Sequence, residues 1–193
     1  NNTNFLYLLI MVIGNSTPRY EYSFRLGADY KGFDFSIYCQ GIGKRKIWGA
    51  GQLAIPGWNA KEGAMPETFC KDYWTEDNTD AYYPRAWDLG GSNTGFTMQR
   101  QSKYLLNMAY LRVKNINFGY TFPQKWMKKA YINNLRVYMS LENFFTFDHL
   151  RGLPIDPEAI SGYSMFSDNY NLGRTGTGTP VFKSLSFGLQ LSF

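Results

Sequence analysis

The side chains able to do chemistry in this chain fall mostly in two irregular stretches. Between residues 41 and 103 stand Trp58, Trp74, Tyr82, Tyr83 and Trp87. Rings of this kind stack on sugars, grip a peptide or contact a covering protein, but they also simply pack long loops. Their even scatter favours packing or partner contact. Asp72, Glu76, Asp77 and Asp80, and the group Asp156-Pro157-Glu158, offer oxygen ligands without the spacing of a calcium loop. Both sets are expected to be solvated loop acids. His149 stands alone at a loop start with no nucleophile beside it, and Cys39 and Cys70 lack metal-ligand spacing and are expected to be unpaired. There is no Gly-x-Ser-x-Gly, no pair of catalytic carboxylates in register and no phosphate loop. The chain is therefore read as a non-enzyme with no catalytic, cofactor-binding or metal-binding residue.

Composition narrows the class further. Aromatic residues make up 18% of the 193, charged residues only 18%, and yet the mean hydropathy is -0.36. Many rings in a chain that is not hydrophobic overall suit a sheet that alternates a dry face with a wet one. The formal charge of +5 comes from scattered basic residues, with Lys44-Arg45-Lys46 and Lys125, Lys128 and Lys129 as the clusters. That is too thin for a nucleic-acid footprint, so no nucleic-acid partner is expected. Phe5 to Ile13 is an apolar run too short for a spanning helix, which needs about 20 residues.

The elements that must position any site are strands. Val181 to Phe193 alternates, with Val181, Leu185, Phe187, Leu189, Leu191 and Phe193 on one face apart from Lys183, and Ser184, Ser186, Gly188, Gln190 and Ser192 on the other apart from Phe182. Tyr20 to Tyr30 alternates without an error, Lys31-Gly32 reads as a tight turn, and Phe33, Phe35, Ile37 and Cys39 continue the apolar face as a hairpin. Aromatics gather at the hairpin's ends with smaller residues between, as two interfacial girdles require. Leu135, Val137, Met139 and Leu141 alternate in a strand running to Phe147. Within that strand Asn143 marks the rim or a local bulge.

Tyr104 to Phe122 also reads as a strand, with Ile116, Phe118, Tyr120 and Phe122 on the apolar face. Carrying that phase backward sets Arg112 and Lys114 among apolar neighbours. A tilted strand of ten residues rises about 25 Å, so Arg112 reaches the rim while Lys114 stays somewhat deep. Either Lys114 snorkels, or a bulge near Asn115 switches the phase and turns Leu111 and Val113 to the apolar face.

Connection lengths alternate. Lys31-Gly32 and Pro123 to Asn134 (with one expected helical turn from Gln124 to Lys128) are short, whereas 41–103 and 148–180 are long. Outer-membrane barrels pair short periplasmic turns with long outer loops. With the Phe193 end on the periplasmic side, every connection falls where its length belongs.

At these residues the sequence resembles a known family. Ile13-Gly14-Asn15-Ser16-Thr17-Pro18-Arg19-Tyr20, Lys31-Gly32-Phe33-Asp34-Phe35-Ser36, Tyr73-Trp74-Thr75, Tyr83-Pro84-Arg85 and Tyr110-Leu111-Arg112-Val113-Lys114-Asn115-Ile116 are similar to the late barrel of SusC/RagA-type TonB-dependent transporters. So are Gly119-Tyr120, Asn134-Leu135-Arg136-Val137-Tyr138, Glu142-Asn143-Phe144-Phe145-Thr146 and Ser186-Phe187-Gly188-Leu189-Gln190-Leu191-Ser192-Phe193. The motifs run in order from about residue 13 onward, and their specificity lies in the set.

The resemblance implies an all-β fold, an antiparallel transmembrane β-barrel of about 22 strands with long extracellular loops. Residues 1–193 would be its C-terminal part, with the last five or six strands and without the family's plug and TonB box. A sheet of that size cannot close on itself in lipid, so the rest of the barrel and plug are expected as partners, in the same or a separate chain. The family also implies a Gram-negative outer-membrane location, surrounding lipid, an oligosaccharide or peptide substrate, a SusD-like surface lipoprotein as lid, and TonB acting through the plug. Leu185, Phe187, Leu189, Leu191 and Phe193 resemble the signal read by barrel-assembly machinery. The competing reading is a soluble or surface-attached β-rich glycan-binding module, whose apolar face would be buried in protein.

Overall fold

The computed structural model describes residues 11–49, 51, 53–57, 65–85, 100–128, 131–158 and 178–193. Strands β1 (Glu21–Tyr30) and β2 (Phe33–Ile42) form the hairpin that their alternation predicts. Lys31 and Gly32 turn it with φ of 47° and 89°, the left-handed pair that a two-residue hairpin turn needs. After β2 come the two-residue β3 (Lys46–Ile47), helix α1 (Glu67–Lys71), and the two-residue β4 (Leu106–Asn107), which pairs with β3. Then follow β5 (Tyr110–Thr121), the single helical turn α2 (Gln124–Met127), β6 (Asn134–Asp148) and β7 (Ser184–Ser192). The main sheet is antiparallel, five strands in the order β1-β2-β5-β6-β7. No helix among the described residues is long and apolar enough to cross a membrane.

Two strands differ from their sequence reading. The third long strand starts at Tyr110 rather than Tyr104, because Ser102–Tyr104 coil into a 3-10 turn and Leu106–Asn107 pair with Lys46–Ile47 instead. The adjoining Met108 and Ala109 are buried, which draws this segment off the sheet. The last strand starts at Ser184, not Val181. Its lead-in is held by side chains: the Val181 N–H donates to Asp156 Oδ2 at 3.3 Å, and Asn143 Nδ2 donates to the Phe182 carbonyl at 3.1 Å.

The register lays the apolar residues in continuous rows. Tyr30, Phe33, Tyr120, Val137 and Leu189 make one; Ala28, Phe35, Phe118, Met139 and Phe187 the next; Leu26, Ile37, Ile116, Leu141 and Leu185 the third. Phe24, Cys39, Val113 and Phe145 follow, then Tyr22, Gly41, Leu111 and Phe147. Between them run polar rows on the other face, such as Gly27, Ser36, Asn117, Ser140 and Ser186.

Between the third and fourth apolar rows the strands lose step, and the bulge near Asn115 is what resolves the Lys114 conflict. Opposite Tyr38–Cys39 in β2, strand β5 goes from Asn115 to Val113 and leaves Lys114 over. Strand β6 goes from Glu142 to Phe145 and leaves Asn143 and Phe144 over. One surplus residue inverts the side-chain phase and two restore it. Val113 therefore shares the apolar face with Ile116, and Arg112 falls on the polar face beside Gln40 and Thr146. Asn143 takes φ 55°, a left-handed conformation that asparagine tolerates better than most residues.

Candidate functional site

Among the described residues most of the apolar face is left exposed. Phe24, Leu26, Phe33, Phe35, Phe118 and all of Leu185, Phe187, Leu189, Leu191 and Phe193 are exposed, Phe187 by 76% and Phe193 by 81%. An apolar surface spanning five strands marks an interaction surface, and in water it is an aggregation liability. The hydrophobic core lies elsewhere, among the loops at the β2–β5–β6 end. Ile47, Ala54, Ile55, Phe69, Tyr83 and Met108 pack there with Leu150, Leu153 and Ile155. The two long connections thus share one core, built from short apolar stretches too brief to show a period.

The polar face carries fixed charges in two places. Near the short-turn end, Arg136 donates to Asp34 through Nε at 2.9 Å and Nη2 at 2.5 Å, a bidentate pair that crosses over β5. It passes above Gly119, where a Cβ would stand 2.5 Å from Asp34 Oδ1 and 2.7 Å from Arg136 Nη2. The same guanidinium lies 4.9 Å from the Tyr138 ring centre, and the Tyr138 ring occupies the space that a Cβ on Gly188 would fill. These two glycines allow large polar side chains to lie along the face instead of standing out from it.

Toward the loops, Arg112 is 3% exposed and fully engaged. It donates to Thr146 Oγ1 at 2.9 Å, to Asp156 Oδ1 at 2.6 Å and to Glu158 Oε2 at 2.5 Å. Lys114 Nζ, the surplus residue of the bulge, reaches Glu158 Oε1 at 2.5 Å. Asp156 also accepts the Glu158 N–H at 2.9 Å through Oδ1. Asp156 and Glu158 are therefore not the solvated acids that their loop setting suggests. Two cations on the polar face draw them in, and because Val181 also bonds to Asp156, one carboxylate clasps both ends of the second long loop.

That clasp has a pH signature. Burial alone would raise the Asp156 carboxyl, but the Arg112 hydrogen bond and the backbone N–H groups of Glu158 and Val181 outweigh burial and hold it below its ordinary value. A depressed acid stabilises the fold above its unfolded pKa, about 3.9 for aspartate, and loses that contribution as pH falls through the lower folded value. The protection of amides across 149–158, taken relative to the intrinsic exchange rate at each pH, is expected to hold from pH 7 down to about 5 and to fall only well into the acid range, below about 4.

A cavity of about 460 Å³ opens beside the loop core, lined in part by Tyr82, Tyr83, Tyr104, His149 and Arg151. Arg151 stacks on Tyr82 at 3.9 Å from the ring centre and approaches Asp72 Oδ2 at 3.6 Å, while the Tyr82 hydroxyl donates to the Lys103 carbonyl. Burial pushes up the phenols of Tyr83 and Tyr104, for Tyr83 with the neighbouring Tyr82 adding and Arg151 subtracting, so both stay neutral. His149 Nδ1 lies 3.3 Å from the Ala109 carbonyl, with no nucleophile in the contact. Of the aromatics singled out in the sequence, Tyr82 and Tyr83 meet at this cavity, Tyr83 with its ring edge-on to Phe69 at 4.8 Å. Trp74 is exposed and does not line it; Trp58 and Trp87 lie outside the described residues. Cys39 and Cys70 are both free thiols. The Arg112 and Arg136 pairings escaped the sequence reading; the signal was present for Arg136, whose polar phase in β6 placed it on the same face as Asp34.

No protein-family model matches the chain. It is 27% identical over 183 residues to the TonB-dependent receptor P3 of Formosa agariphila, covering 94% of this chain and 17% of that protein. Among solved structures, the RagAB peptide importer in its closed-closed state superposes with a TM-score of 0.66 at 25% identity, over 94% of this chain and 18% of the importer chain. Its open-open state gives 0.63 at 24% identity, a likeness of fold. The chain thus spans under a fifth of the length of these relatives. With the ordered motifs, the antiparallel sheet and its exposed apolar face, the chain is similar to a segment of the β-barrel of SusC/RagA-type TonB-dependent transporters.

Proposed function

We propose that this segment forms part of the wall of an outer-membrane importer for peptides or oligosaccharides, and is not an enzyme. The observation that carries the reading is the division of the sheet. Five rows of apolar side chains face one way, and the polar face is braced by internal ion pairs. Lipid satisfies the first face and a water-filled lumen the second. Both sheet edges are long and unpaired among the described residues, and in a bilayer they must continue into further strands of the barrel, supplied by the same polypeptide or another. A SusD-like lipoprotein as lid, and TonB acting through a plug, complete the assembly in this reading. The likeness to a peptide importer supports peptide as one substrate class.

The loop core and its clasp suit the outer side, where they stiffen the rim around the entering substrate. Trp74, Tyr82 and Tyr83 remain the contact residues proposed for substrate or lid, with Trp58 and Trp87. On the final strand, Leu185, Phe187, Leu189, Leu191 and Phe193 are the proposed assembly signal. Phe193→Asp puts a charge at the end of that apolar row, so it is expected to block membrane assembly of the protein carrying this segment. Fractionation of outer membranes checks this, and wild-type amounts of heat-modifiable Phe193→Asp protein would sink the proposed signal. Recovery of the wild-type chain in the aqueous fraction would instead favour the glycan-binding module.

A further inference from the structure

One end of the sheet carries aromatic and basic side chains that barrel closure does not use. At the short-turn end, Phe33 packs tilted against Tyr120 at 4.5 Å between ring centres, Tyr120 meets Phe122 edge-on at 5.0 Å, and Phe122 lies 6.5 Å from Trp126. The apolar face therefore continues past the end of β5 onto the turn α2. Trp126 is 62% exposed there, and Tyr131, just beyond it, is 91% exposed. The Thr121 N–H donates to the Gly32 carbonyl at 2.7 Å, which binds the Lys31-Gly32 turn to the same end. Lys31, Lys125 and Lys128 are all exposed here, with the Lys31 ammonium 5.1 Å from the Tyr30 ring. Residues 122–133 contain no Asp or Glu.

Indole and phenol rings favour the boundary between acyl chains and headgroups, and lysines beside that boundary favour lipid phosphate. We propose that this end of the sheet is a binding surface for anionic phospholipid, with Phe122 and Trp126 at the acyl–headgroup boundary and Lys31, Lys125 and Lys128 pairing with headgroup phosphates. The proposal rests on the membrane reading above and adds to it a preferred lipid and the residues that choose it. Two features favour a lipid over a protein partner. The aromatic ladder is continuous with the face assigned to acyl chains, and the lysines border it with no acid between them in either turn.

The test reconstitutes the native assembly containing this chain into nanodiscs of equal phosphatidylglycerol and phosphatidylcholine, then releases it and counts retained lipids by native mass spectrometry. Wild type is expected to retain phosphatidylglycerol preferentially. Each lysine near an anionic surface contributes about fivefold, so Lys31→Gln/Lys125→Gln/Lys128→Gln is expected to lose at least about fivefold of that preference. Lys44→Gln, at the opposite end, is expected to keep it. Wild-type preference in the triple variant overturns the lipid surface and leaves the membrane reading standing. An equal loss in Lys44→Gln overturns it as well, since bulk charge then accounts for the retention. Failure of the wild-type assembly to enter nanodiscs at all overturns the membrane reading and the lipid surface together.

Discussion

Replacing Arg112 with methionine is expected to release the second long loop while leaving the sheet in place. The substitution leaves two carboxylates, Asp156 and Glu158, against a largely dry surface with Lys114 as their remaining cation among these contacts. Removing one partner of a buried ion pair costs about 3–5 kcal/mol, because the charge left behind has lost both its partner and its water. The loss falls locally, since the strands on either side keep their backbone ladder. Hydrogen exchange should show 149–158 opening by that amount, with β5 and β6 protected as before. Removing Asp156 together with the arginine, as Arg112→Met/Asp156→Leu, should recover much of the cost, because Glu158 keeps Lys114 as its cation and no buried carboxylate is left unpaired. Equal exchange in wild type and Arg112→Met would show that the clasp does not hold the loop.

The sheet was legible in the sequence because its signals are local. Alternation of period two marked β1, β2, β6 and β7, the Lys31-Gly32 turn fixed the hairpin register, and Pro123 with the residues after it marked the single turn of α2. Even the bulge left a trace: Lys114 on the apolar phase was a contradiction that only a shift of phase or a snorkelling side chain could settle. The loops were not legible in the same way. Nothing within Asp156-Pro157-Glu158 says that Arg112, 44 residues earlier in the chain, lies against it. That contact depends on how Leu150, Leu153 and Ile155 dock onto Phe69 and Met108 from another loop. Such cores form through contacts distant in sequence, and strands of two residues such as β3 and β4 are too short to carry a period. The same limit applied to Tyr104–Ala109, whose apolar residues read as an extension of β5 but serve the loop core instead.

The strongest division in the structure is between the two faces of one strand, and neighbouring residues of β2 test it. Ile37 sits in the middle of the five apolar rows, flanked by Leu26 and Ile116; Ser36 sits on the polar face between Gly27 and Asn117. In a bilayer Ile37→Arg places a guanidinium near the midplane, at a cost of about 2–4 kcal/mol, whereas Ser36→Arg points into water and costs little. A shift of one position thus changes the expected effect by a factor of about 30 or more in the folding equilibrium. Equilibrium refolding of the assembly into lipid vesicles, followed by the mobility of the folded band, reads that difference. The soluble alternative predicts a different pattern, because there the partner on the apolar face is protein. Ile37→Arg would then impair folding equally in lipid and in detergent-free buffer, and the wild-type chain would need no amphiphile to stay monomeric. A large Ile37→Arg effect confined to lipid ties the apolar face to acyl chains. Equal effects from the two substitutions would mean that the faces are not divided between lipid and lumen, whatever their sequence pattern.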